Sequence, residues 1–85
     1  MSSVTAYVHA LERLERNGKW KIRGVEALSE ATPAATDTYR YKGPLVEAQG
    51  GTFDDASREA MRRFYTDPAC RPYVPYAIRA AGGVG

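Results

Sequence analysis

A chain of 85 residues, 44% apolar and 26% charged, can bury one modest core, and its Val, Leu, Tyr and Phe belong to a folded chain, not a disordered one. A formal charge of +2 is a weak footprint for a polyanion binder, one cysteine excludes an internal disulfide, and one His with one Cys excludes a structural zinc site. No apolar run reaches the length of a membrane span and the start MSSVTAYVHA lacks a basic then apolar leader, so a cytoplasmic protein is expected.

The first element, residues 4–16, fits two templates. As a helix it aligns Val4, Tyr7, Val8, Leu11 and Leu14, with Asn17-Gly18 as a C-terminal stop. As a strand it alternates to Leu11 and turns through Arg16-Asn17-Gly18, which sets Leu14 opposite Trp20. The helix is the expected form, because its later part is built from strong helix formers. KWKIRGVEAL then puts Trp20 and Ile22 on one side and Lys19, Lys21 and Arg23 on the other, the period of a half-buried strand with a bulge or bend at Gly24.

SEATPAATD is a connecting loop. After it, Tyr39 and Tyr41 alternate with Thr38, Arg40 and Lys42, and Gly43-Pro44 reads as the turn of a hairpin that resumes over Leu45 to Gln49. Residues 53–65 form a helix with Thr52 as N-cap, Asp55 where a capping box places its second member, and Asp54 and Asp55 at the positive end of the dipole. Phe53, Ala56, Ala60 and Phe64, with Met61 beside them, make its apolar face, and Arg58 and Arg62 share an exposed one. Asp67-Pro68 stops the helix near Thr66. YVPYAIRA is expected as an edge strand or an extended arm held by Val74 and Ile78, and residues 80–85 as a frayed tail.

These elements specify one α+β domain over residues 1–85, with an antiparallel sheet of three or four strands packed against one or two helices. Trp20, Ile22, Tyr39, Tyr41, Leu45 and Val46 give that sheet an apolar surface in need of cover.

Catalytic chemistry has no clear foothold. Cys70 and His9 are far apart in sequence, adjacent Asp54 and Asp55 are explained by capping, and QGGT lacks the lysine and spacing of a phosphate loop. A non-enzymatic protein without metal or cofactor is expected. Residues 1–56 hold seven Lys/Arg against eight Asp/Glu and residues 57–85 five against two, so the positive excess falls late in the chain. There Arg58, Arg62, Tyr65, Arg71, Tyr73 and Tyr76 form a candidate partner-binding set, of the composition favoured at interface hot spots and single-strand stacking platforms. Tyr73 and Tyr76 either join this face or close the core.

QGGTFDDASREAMRRF, from Gln49 to Phe64, resembles the strand-turn-helix of HicB-type antitoxins in its glycine turn, capping Thr, acidic residues and spaced alanines. The order helix, three strands, helix is similar to the double-stranded-RNA-binding domain, although Asp54 and Asp55 stand where that family carries a lysine-rich phosphate anchor. In profile the chain resembles small phage-encoded inhibitors of the anti-CRISPR kind, which need only a stable scaffold and an adhesive face. The expected function is therefore non-catalytic docking on a protein of a nucleic-acid-handling complex. Direct nucleic-acid binding and a structural or oligomeric subunit are the alternatives.

Overall fold

The computed structural model describes residues 3–31 and 35–76. Strands β1 (Val4–Leu14), β2 (Trp20–Leu28) and β3 (Tyr39–Gly50) form one antiparallel sheet in the order β2-β1-β3, followed by helix α1 (Phe53–Thr66) and a 3-10 helix, Pro68–Tyr73. The fold is α+β, with α1 on one face of the sheet.

The helix expected over residues 4–16 is instead the central strand. Along β1, Ala6, Val8, Ala10 and Glu12 are buried while Thr5, Tyr7, His9 and Leu11 are half-buried on the opposite side. A central strand has two edges and two faces to fill, and Val4, Thr5 and Val8 suit it by β-branching. Pairing on both edges overrides the helix formers at its end, where Leu14 faces Trp20 and Arg13 faces Tyr39. The Asn-Gly turn serves either form. Here the Gly18 N–H donates to the Glu15 carbonyl at 3.0 Å, the Glu15 N–H to the Lys19 carbonyl at 2.8 Å, and Asn17 Oδ1 accepts the Lys19 N–H at 2.9 Å. On β2 the irregularity expected at Gly24 is present: partners step from Leu11–Gly24 to Glu12–Ile22, which leaves Arg23 as the extra residue.

Gly43-Pro44 is not a hairpin turn. β3 runs through it as one strand of 12 residues, and its register against β1 jumps from Val8–Val46 to Ala10–Lys42, so Gly43, Pro44 and Leu45 bulge out opposite His9. Pro44 is tolerated because β3 is an edge strand, where a missing N–H removes no ladder bond on the open side. Gly43 has φ 80°, and a Cβ there would stand 2.6 Å from Tyr73 Cε2, so only glycine fits both the backbone and the ring.

Beneath α1 the sheet is lined by small side chains. Ala6, Val8, Ala10, Val25, Val46 and Ala48 meet Ala56, Ala60, Phe64 and Cys70 in a core that the alanines allow to close tightly. Phe53 is not part of it; it stays 38% exposed at the first helical position. The strand-to-helix turn is equally close, since a Cβ on Gly50 would lie 2.7 Å from the Ala56 nitrogen. Thr52 caps α1 by accepting the Asp55 N–H at 3.1 Å.

Up to Tyr76, the last of the described residues, the segment after α1 is helical and is neither the expected edge strand nor an extended arm. Asp67 Oδ1 accepts the Ala69 N–H at 2.9 Å and starts the 3-10 helix, whose Pro68 has no N–H to satisfy. Cys70 is buried by it, and Tyr73 and Val74 pack partly against the core. Ile78 and the expected frayed tail, 80–85, lie outside the described residues. Among the described residues, no helix is long and apolar enough to cross a membrane.

Candidate interaction surfaces

Arg58, Arg62 and Tyr65 follow one another at i, i+4 and i+7 on the exposed side of α1. The two arginines are not equivalent. Arg62 grips Glu59 with a fork, Nη2 to Oε2 at 2.6 Å and Nε to Oε1 at 3.0 Å. The Arg62 hydrogen bonds, aided by Arg63, hold the Glu59 carboxyl down to about 2, and Glu59 in turn raises the Arg62 guanidinium. Arg63 donates from Nε to the same carboxylate at 3.2 Å and from Nη1 to the Glu47 carbonyl at 2.9 Å, which ties the helix to β3. Arg58 has no carboxylate within 4.0 Å among the described residues.

Tyr65 and Arg71 do come together. With Thr66, Asp67, Pro68, Val74 and Pro75 they line a shallow hollow where α1 meets the 3-10 helix. Tyr65 is 40% exposed and Arg71 is exposed. Tyr73 turns away, its ring against Gly43 of β3, and Tyr76 is half-buried at the end of the described segment.

A second surface exists because Val4–Leu14 is a strand and not the expected helix. The sheet face opposite α1 carries Tyr7, His9, Leu11 and Arg13 from β1, Lys21, Glu26 and Leu28 from β2, and Tyr39, Tyr41 and Glu47 from β3. His9 and Tyr41 stack with centroids 5.3 Å apart, and the Tyr41 hydroxyl reaches across β1 to donate to Glu26 Oε2 at 3.0 Å. Burial, the bond to Glu26 and its negative charge raise the Tyr41 hydroxyl above its ordinary value. His9 Nε2 donates to the Gly43 carbonyl at 3.0 Å, which leaves buried Nδ1 as an acceptor with no partner among the described residues. Strand alternation through Leu11 was the available signal for this face.

At the hairpin end the helix-side face holds a charge cluster. Glu12, only 4% exposed, receives Arg40 Nε at 2.7 Å and Lys42 Nζ at 3.7 Å, while the Arg40 guanidinium lies 4.1 Å from the Trp20 ring centroid. On the other face Arg13 lies 5.8 Å from the Tyr39 ring centroid. Sequence reasoning had no reason to bury Glu12, since only the three-strand register sets it opposite both Ile22 and Arg40.

In comparisons with known proteins the chain matches no family model, no curated protein and no solved structure. The likeness to the double-stranded-RNA-binding domain also loses its leading helix, which is β1.

Proposed function

We propose that the protein is a non-catalytic binding protein that docks on a protein partner in cytoplasmic nucleic-acid-handling machinery, in the manner of a small inhibitor. The observation that carries this reading is the corner hollow, where exposed Tyr65 and Arg71 flank Pro68, Val74 and Pro75. Tyr and Arg are the side chains that most often dominate interface energetics. The prolines restrict the backbone beneath them, so less ordering entropy is lost on docking. Arg71 has no carboxylate within 4.0 Å among the described residues, which leaves its planar fork free for an acidic group of the partner. Arg58 extends the same exposed side, whereas Arg62 is already committed to Glu59.

Affinity capture of the partner, followed by binding measurements on purified components, tests the reading. Tyr65→Ala and Arg71→Glu should each weaken binding by about tenfold or more. Arg62→Gln should change it by less than about threefold. A folded Tyr65→Ala/Arg71→Glu double variant that binds as tightly as the wild type defeats the proposal.

A further inference from the structure

We propose that the hairpin end of the sheet is a nucleic-acid-binding site that takes the two phosphate backbones and the major groove of duplex DNA. It uses none of the residues of the docking corner and stands or falls separately from it.

The first argument is how the fold sorts charge. Glu26 and Glu47 sit opposite His9 and Tyr7, in the half of the sheet away from the hairpin turn, and Asp54 and Asp55 open α1 just beyond Gly50 at that far end. Arg13, Arg16, Lys19, Lys21 and Arg23 remain together around the turn between β1 and β2. In the linear count the acidic residues of the first 56 positions cancel these cations; in the folded sheet Glu26, Glu47, Asp54 and Asp55 are carried away from them.

The second argument is which cations are spent. Glu12 lies buried on the helix side and takes Arg40 and Lys42. The five cations of the hairpin have no carboxylate within 4.0 Å among the described residues, and Glu15 and Asp37 are the acidic residues left to oppose them at this end. Arg13 and Lys21 are cross-strand neighbours on the face opposite α1, with Tyr39 on the other side of Arg13. The row Lys21, Arg13, Tyr39 sets an ammonium, a guanidinium and an aromatic ring side by side across the three strands, which matches phosphates bordering stacked bases.

Shape supplies the third argument. A helix of 14 residues is about 21 Å long and a strand of 12 about 40 Å. Helix α1 starts beside the end of β3 that lies away from the hairpin and is about half as long as that strand, so it does not itself reach the turn between β1 and β2. The axes of the outer two of the three strands lie about 10 Å apart, against a width of about 12 Å for the B-DNA major groove. The A-form major groove of RNA is too narrow to admit them.

The test is fluorescence anisotropy of a labelled 20-bp DNA duplex between 50 and 200 mM salt, with a single strand and an RNA duplex of equal length as competitors. Five phosphate contacts correspond to a slope of log K on log salt approaching about −4.5, a loss of about 500-fold over that range. Lys21→Gln and Gln49→Glu lower the net charge by the same amount, one at the hairpin and one at the far end of β3. Lys21→Gln should make the slope about 0.9 shallower and Lys19→Gln/Lys21→Gln about 1.8 shallower, with Gln49→Glu leaving it unchanged. Absence of binding at 50 mM salt, equal effects of Lys21→Gln and Gln49→Glu, or preference for the single strand or the RNA duplex would each overturn the proposal.

Discussion

Arg40 donates to the Glu12 carboxylate at 2.7 Å while its guanidinium lies over the Trp20 ring, so one half-exposed side chain neutralises a buried charge and covers an aromatic face. The pair is asymmetric: the Glu12 side chain is 5% exposed and that of Arg40 46%. Removing the arginine leaves a buried carboxylate with Lys42 alone at 3.7 Å, whereas removing the carboxylate leaves a cation that can turn into water. Arg40→Ala should therefore cost about 2 kcal/mol in urea unfolding and Glu12→Gln about 1 kcal/mol or less. The reverse order would mean that Lys42 and solvent neutralise the Glu12 carboxylate without Arg40.

Legibility followed the range of the interactions. Around Thr52 the cap, the acidic first turn, the alanine spacing and the Asp67-Pro68 stop act within a few residues, so α1 was readable to within one position of its end. Residues 4–16 carried two compatible periods, and the deciding term was pairing with β3, more than 25 positions away in sequence. Gly43-Pro44 misled for a related reason. Its local turn chemistry is real, but an edge strand can absorb it as a bulge, and which outcome holds depends on what lies opposite. Arg58 and Arg62 could be placed on the surface from helical spacing and Arg71 from its polarity, while the engagement of Arg62 by Glu59 needed side-chain geometry.

Acid should weaken the exposed lattice on α1 in a defined window. Glu59 is held down to about 2 by Arg62 and then Arg63, against an ordinary value of 4.5. A depressed carboxyl contributes stability that is present above the unfolded value and lost as pH falls through the folded one. The Glu59 contribution should thus fade between about pH 4.5 and 2, and its carboxyl resonance should titrate near the lower limit in NMR. Because the pair is solvent-exposed, added salt should move that midpoint back toward 4.5. A Glu59 midpoint of 4 or above at low salt would show that the Arg62 fork does not persist in solution.

Gly43 and Tyr73 should behave as one unit. Gly43→Ala places a methyl 2.6 Å from the Tyr73 ring at φ 80°, so it carries both a left-handed penalty of about 1 kcal/mol and a clash. Gly18→Ala, at φ 79° with nothing within 4 Å, carries the first cost only. Gly43→Ala should therefore destabilise by about 1 kcal/mol or more beyond Gly18→Ala. In a Tyr73→Ala background that excess should vanish, giving a coupling of about 1 kcal/mol in the double-mutant cycle. Additive losses would place the Tyr73 ring elsewhere in solution.

Cys70 offers a direct reading of how the 3-10 helix opens. Its side chain is fully buried, and burial first, then the Asp67 carboxylate, pushes its thiol above the ordinary value. Both effects slow attack on a disulfide reagent, one by denying access and the other by depleting thiolate. Native protein at pH 8 should react with such a reagent at least about 100-fold more slowly than protein unfolded in guanidinium. The segment Pro68–Tyr73 packs against α1 and β3 at the rim of the core, so it can lift away while the β-ladders stay paired. The native reaction should therefore accelerate with urea much less steeply than global unfolding does, because little surface is exposed in the opening. A rate that tracks the global unfolding constant at every urea concentration would mean that the 3-10 helix and the sheet open only together, and that Cys70 is part of the cooperative core.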